Sequence, residues 1–263
     1  MSQKDAARQW SRSSKALDDM GAYQKLFRGL GIQGSSVLEF GVSGREARRI
    51  AERGPSFFLG IDKNPESIRQ SADYLQECEI PVNVASGWYP RPTQNPNWNL
   101  SPNSMNFAVA DYTDPFTFDP KSYEKFDLGI LTFSGGSEYR PISTEFPFLD
   151  PLLTCDYALR PGGSFYFVQR ATLPVDKLKS LENRTLIAPE GYWLKEFIVY
   201  PDEKMLKASM AGNKSFLVYG DTQLDVIISD GLEDGKPISI YLDQEKQRGM
   251  CPLIYTAQFV KED

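Results

Sequence analysis

The chain has 263 residues, 41% apolar and 24% charged, with a net charge of −6. That balance excludes a disordered chain and fits one large core, or one core with an insertion. The chain has no histidine, which removes Ser-His-Asp hydrolysis, Cys-His nucleophilic catalysis and histidine-held metal sites.

No apolar run approaches the ~20 residues of a membrane helix, and the first residues lack the apolar stretch of a signal peptide. The expectation is a cytoplasmic protein with no membrane partner. Cys78, Cys155 and Cys251 are far apart and odd in number, so they read as plain thiols and not as a disulfide framework or a zinc site. No metal site is expected. Nucleic acid is disfavoured because no dense basic run appears. Arg45, Arg48, Arg49 and Arg53, set among Glu46 and Glu52, read as a solvated helix face.

In chain order, residues 4–30 carry apolar residues at helical spacing (Leu17, Met20, Tyr23, Phe27, Leu30) and predict one or two helices. A strand follows at 36–40, a helix at 44–53 and a second strand at 57–61. Pro65 then opens a helix that runs to about residue 77, since proline favours the first helical turn. Residues 86–104 hold four prolines, four asparagines and the pair Trp88 and Trp98. They read as a loop, either anchored by its tryptophans or serving as a lid or oligomer contact. Strands are expected at 106–110 and 126–133. A helix at 148–159 with Leu149, Leu152 and Leu153 on its core side comes next. Arg160-Pro161-Gly162-Gly163 turns the chain into a strand at 164–169. A helix at 174–183 and a strand at 193–200 follow. Short β-like runs at 216–219, 225–229 and 238–242 predict a small antiparallel addition. A final core strand is expected at 253–260.

The segment from residue 36 to 62 is the most informative. A strand ends on Glu39 and a glycine turn, a helix follows, and the next strand ends on Asp62. Open α/β sheets build nucleotide pockets at such strand ends. Gly41 and Gly44 would let backbone approach a ligand at a helix start. Glu39 would repel a pyrophosphate and suit a cationic or hydroxyl-bearing ligand. Asp62 is placed for the hydroxyls of a ribose, and Asp111 for an adenine amino group.

The segments Val37-Leu38-Glu39-Phe40-Gly41-Val42-Ser43-Gly44-Arg45, Gly60-Ile61-Asp62, Val109-Ala110-Asp111-Tyr112, Phe126-Asp127-Leu128-Gly129-Ile130-Leu131 and Ala158-Leu159-Arg160-Pro161-Gly162-Gly163 follow one another in the order and spacing of a known family. The chain resembles class I S-adenosylmethionine-dependent methyltransferases over residues 35–170 and the last strand. The resemblance implies an α/β fold with a doubly wound, mostly parallel seven-stranded sheet and helices on both faces. An N-terminal helical cap (1–30), a cofactor-binding core (31–202), a β-rich insertion (203–250) and a final core strand (251–263) would complete it. It implies S-adenosyl-L-methionine as cofactor, with Glu39, Gly41, Ser43 and Gly44 under the methionine part and Asp62 and Lys63 at the ribose. Asp111 and Tyr112 would flank the adenine, and Phe133 and Ser134 would lie near the methyl group. The turn Gly41-Val42-Ser43-Gly44 departs from the family's three alternating glycines: it is one residue shorter and lacks the middle glycine.

The family's Asn/Asp-Pro-Pro-aromatic signature is missing after the fourth core strand, which argues against nucleic-acid and protein amino groups as acceptors. A small organic acceptor is expected, methylated on O or N and less readily on C. Glu138 and Tyr139 are the candidate base or orienting groups, and Trp10, Tyr23, Trp88, Trp98 and Tyr139 candidate walls of an acceptor pocket. A homodimer is one expected assembly. Two other readings stay open. One is an S-adenosylmethionine-binding protein that does not methylate. The other is a nicotinamide-dependent reductase, because Gly41-x-x-Gly44-x-x-Ala47 and Tyr200-x-x-x-Lys204 formally match its motifs.

Overall fold

The computed structural model describes residues 2–19, 21–85, 96–132, 149–174, 191–201, 232–233, 236–237 and 250–262. Its helices are α1 (Gln3–Asp19), α2 (Ala22–Leu26), α3 (Gly44–Ala51), α4 (Pro65–Glu77) and α5 (Leu149–Ala158). Its strands are β1 (Ser36–Phe40), β2 (Phe57–Asp62), β3 (Val82–Val84), β4 (Met105–Val109), β5 (Phe126–Thr132), β6 (Leu159–Pro174), β7 (Tyr192–Pro201), β8 (Leu232–Glu233), β9 (Lys236–Pro237) and β10 (Met250–Lys261).

The expected α/β sheet forms in the order β3-β4-β2-β1-β5-β6-β10-β7. Neighbours from β3 to β6 run parallel, while β10 is antiparallel to both β6 and β7. Seven of these strands are those read from the sequence. The eighth is β3, a half-buried edge strand of three residues. It is too short and too polar for a periodic signal. The strand that follows α5 is much longer than expected, reaching Pro174; the rest of the helix expected at 174–183 lies outside the described residues. So do the runs at 216–219, 225–229 and 238–242, and Trp88 with residues 86–95. The described part of the 203–250 segment is the pair of two-residue strands β8 and β9, with Met250 at the start of β10.

Alternation along the buried strands assigns each face. Val37, Phe58, Phe107, Leu128 and Ile130 face α1 to α4, against Leu17, Tyr23, Phe27, Ala47, Ile50, Ile68 and Leu75. Leu38, Phe40, Leu59, Ile61, Leu131 and Phe165 face α5 with Cys155 and Ala158, together with Trp98 and Phe118. Helix starts follow from local chemistry. Ser43 caps α3, and Asn64 caps α4 by accepting from the Glu66 N–H at 3.1 Å, with Pro65 just inside. The loop before β4 is tied down by Asn106, which is fully buried. Its amide donates to the carbonyls of Phe58 (3.0 Å), Ser101 (2.8 Å) and Ser104 (3.0 Å) and accepts from the Ser101 N–H (2.7 Å).

Gly129 in β5 marks the tightest approach between sheet and helix. A Cβ there would overlap the Cys155 sulfur of α5 and come within 3.2 Å of Phe165. Gly129→Ala is expected to cost about 1–3 kcal/mol by overpacking, and much less in a Cys155→Ala background, which removes the clashing sulfur. Urea unfolding of the two single variants and the double variant checks this; equal costs in both backgrounds would refute the assigned contact.

Candidate functional site

The strand order reverses direction at β1. The crossover through α3 leads to β2 on one side, while β5 pairs on the other. The crevice at the carboxyl ends of β1 and β5 is therefore the topological switch point, where open α/β sheets bind ligands. The sequence-selected residues of the glycine turn converge there. Glu39 is flanked by Gly60 of β2 and Ile130 of β5. Gly41 has φ +72°, a left-handed turn that glycine adopts without a Cβ penalty, and its N–H donates to the Ile61 carbonyl at 2.9 Å.

Glu39 is fully buried. Its Oε1 accepts from the Ser43 N–H at 3.2 Å, and its Oε2 has no partner. Burial, then the Glu46 carboxyl and Asp62, push its pKa well up. Ser43 shares a hydrogen bond with Ser14 of α1, whose hydroxyl also pairs with the Tyr23 hydroxyl at 3.0 Å. Asp62 is half-buried at the end of β2 and accepts from the Asn64 N–H at 2.7 Å. Burial pushes its pKa up to about 7. Beside it, Lys63 reaches Asp111 across 4.0 Å. Asp111 spends Oδ1 on its own turn, accepting from the Thr113 N–H (3.0 Å) and hydroxyl (2.7 Å). The Tyr112 ring lies beside Gly41 and edge-on to Phe40, with centroids 6.0 Å apart. Phe133, Ser134, Glu138 and Tyr139 lie outside the described residues.

Gly44 has a packing reason as well: a Cβ there would sit 3.0 Å from Ser71 Cα and from the Tyr74 ring of α4. Two expectations change. Tyr23 and Trp98 are not walls of an acceptor pocket. Tyr23 is buried beneath α1, and Trp98 packs against Phe118 at 5.8 Å while its backbone N–H donates to Asp119 at 2.9 Å. Finally, Glu46 is not on a solvated face. It is fully buried, with Oε1 unpartnered and Oε2 accepting from the Thr132 hydroxyl at the end of β5.

Glu46 is the residue that sequence reasoning missed. Ser43-x-x-Glu46 has capping-box spacing, in which the glutamate would accept from the Ser43 N–H. Here Glu39 takes that N–H, and Glu46 turns inward to Thr132 at the end of β5. Burial pushes its pKa up to about 8, against the lowering effect of Thr132.

Helix α1 lies over this turn. Trp10 Nε1 donates to the Val42 carbonyl at 3.1 Å, Asn64 donates to the Gln3 carbonyl at 2.8 Å, and Asp18 pairs with Arg49 at 2.5 Å. A cavity of about 60 Å³ remains between α1, Val42, Ser43 and Tyr74. It has room for water but not for a nucleoside, since ligand pockets run to ~300–1,000 Å³. Tyr200 of the reductase-like pair pairs with Ile254 in β7, the strand at the far edge of the sheet from the switch point. Lys204 lies outside the described residues.

No family model matches the sequence, and no curated protein does. Solved structures do match in fold. A protein of Galdieria sulphuraria, provisionally named a sarcosine dimethylglycine methyltransferase, is 12% identical with a TM-score of 0.53, over 94% of this chain and 86% of that one. A geranyl diphosphate methyltransferase in complex with S-adenosylmethionine is 10% identical with a TM-score of 0.51, over 90% and 84%. The (4+2)-cyclase SpnF is 14% identical with a TM-score of 0.50, over 92% and 80%. The chain has the Rossmann-like fold of class I S-adenosylmethionine-dependent methyltransferases. Among the described residues no helix is long and apolar enough to cross a membrane.

The raised carboxyl pKa values predict a pH dependence. Unfolded carboxyls titrate near about 4, so the folded protein holds extra protons on Glu46 and Asp62. Stability is then full below that range and is lost as pH rises through about 7 for Asp62 and about 8 for Glu46. The melting temperature of the ligand-free protein is expected to fall between about pH 5 and pH 8.5, with a shallower fall in Glu46→Gln and Asp62→Asn. Calorimetric melting across that range checks the sign; a rise over the window would refute it.

Proposed function

We propose that the protein is an S-adenosylmethionine-dependent methyltransferase acting on O or N, less readily C, of a small organic acceptor. The observation that carries this reading is the pair Glu39 and Asp62, two buried or half-buried carboxyls at the ends of adjacent parallel strands beside the switch point. Neither has a salt-bridge role among the described residues that would explain its burial. The ligand fits both. An ammonium would satisfy the orphaned Glu39 Oε2, and ribose hydroxyls would meet Asp62.

When bound, the cofactor would supply a sulfonium methyl to an acceptor lone pair, the C–S bond breaking so that its electron pair leaves on a thioether. The chain's own part is binding and alignment, which can supply much of such a barrier. Glu39 would hold the methionine end beside the glycine turn, and Asp62 would hold the ribose. Tyr112, packed on Gly41, would bound the adenine. With no histidine in the chain, an acceptor hydroxyl would lose its proton to a carboxylate, a tyrosine or water. Glu138 and Tyr139 are the candidates we assign to that step. An amine acceptor needs no such base.

The second reading is a protein of the same fold that binds the sulfonium without methylating. The shortened turn favours it, and the cyclase neighbour shows that the fold accommodates other chemistry. Thermal shift separates binding from its absence. S-adenosylhomocysteine at ~100 times its dissociation constant is expected to stabilise the protein by about 2.7 kcal/mol, and Asp62→Ala to weaken binding at least tenfold. Turnover of small hydroxyl and amine acceptors then decides between methylation and binding alone. No stabilisation by either the methyl donor or its product would overturn both readings.

A further inference from the structure

Glu46 has no part in the reading above, yet it is one of the most costly side chains in the molecule. A buried polar atom without a partner is disfavoured whether its group is charged or neutral. Glu46 Oε1 is such an atom, and so is Glu39 Oε2. The two residues come from different elements, β1 and α3, and each is fully buried. Both acceptors are held in place by their other oxygen. Ser43 N–H fixes Glu39 Oε1 at 3.2 Å, and Thr132 donates to Glu46 Oε2 from the end of β5. The free oxygens thus belong to two neighbouring side chains on the α3 side of the β1 and β5 strand ends. Orphaned acceptors fixed in such a place imply a donor that arrives from elsewhere.

We propose that Glu46 is a second anchor for the ammonium end of the ligand, acting with Glu39, and that the pair gives up a proton when the ammonium enters. This rests on the donor reading above. The proton balance follows from the charges. In the ligand-free protein the pair is held in a protonated form by burial and mutual repulsion. An entering ammonium brings one positive charge. Loss of one proton to solvent leaves the net charge of the buried cluster unchanged, and the freed carboxylate becomes the ammonium's hydrogen-bond acceptor. The other ionisable groups facing the pair do not supply this charge. Tyr23 of α2 is buried and kept protonated, with its pKa raised by burial and by both glutamates. Asp62 of β2 adds further repulsion on Glu39. Asp18 of α1 is engaged with Arg45 and Arg49 of α3. Among the described residues, no lysine or arginine lowers the pKa of either glutamate.

The test is titration calorimetry near neutral pH in two buffers of different ionisation enthalpy. S-adenosylhomocysteine is the probe, and 5′-methylthioadenosine, which lacks the ammonium and carboxylate, is the control. The expected result is net proton release on binding the first ligand and none on binding the second. A ligand carboxylate alone would draw protons in, so the sign is diagnostic. Glu46→Gln should bind S-adenosylhomocysteine about tenfold or more weakly, because a hydrogen bond to a charged group is lost, with reduced proton release. It should bind 5′-methylthioadenosine as the wild type does. Wild-type binding of S-adenosylhomocysteine without proton release would overturn this inference and leave the donor reading intact. So would an equal loss of both ligands in Glu46→Gln. Failure of the wild type to bind either ligand would overturn the donor reading and this inference together. The wild-type proton count needs no variant, so a poorly folding Glu46→Gln leaves the inference testable.

Discussion

Glu39 sits in the central strand of a parallel sheet, fully buried, with backbone neighbours on both sides. A carboxyl in that position has only bad options unless something meets it. It can hold a proton, accept hydrogen bonds, or await a cation. The surrounding structure supplies the first two in part. The glycine turn brings the Ser43 N–H back to it, and burial keeps its pKa high. That one bond redirects the next residues. Ser43 is left to cap α3 through its hydroxyl, and Glu46 is released from the cap into the interior. Ser43 also meets Ser14, so the contact of α1 with the turn is tied to the residue that accommodates this carboxyl.

Much of the fold is legible in the sequence because buried parallel strands read as short apolar runs and turns as glycine and proline. The bounds of α4 are fixed by Asn64-Pro65 at one end. Its far end follows the last apolar position, Leu75. The strands on either side of β1 announce themselves by Phe57, Phe58, Phe126 and Ile130. β3 gives no such signal: Val82, Asn83 and Val84 are half-buried, and its edge position is set by β4. Gly44 shows a different limit. A glycine at a helix start suits a ligand as well as a helix neighbour, and the sequence does not reveal the approach of Ser71 and Tyr74.

Glu46 was illegible for a similar reason. Its sequence neighbours, Arg45, Arg48 and Arg49, do make ion pairs and cation–π contacts on the outer side of α3 with Asp18, Glu52 and Tyr74. The local pattern suggests a solvated face, but its arginines are half-buried. What no local pattern contains is that Glu46 points the other way, toward Thr132, which is distant in sequence and brought near by the β1–β5 pairing. A fully buried acid inside an Arg-rich helix is a non-local fact.

The same non-local arrangement sets stability against function. Three carboxyls whose folded-state pKa values are raised, Glu39, Glu46 and Asp62, gather at one end of the sheet. In the ligand-free protein they weaken the fold as pH rises, since each is forced to ionise without a cation. Buried aliphatic residues there would pack without that cost. Retention of the acids at a crevice between strand ends is explained if a cationic ligand repays them on binding, so that stability lost by the empty protein reappears as affinity. The shortened glycine turn fits this economy. If the proposed donor binds here, the carboxyl of Glu46 in the first turn of α3 can offset a backbone contact that a longer glycine turn would offer.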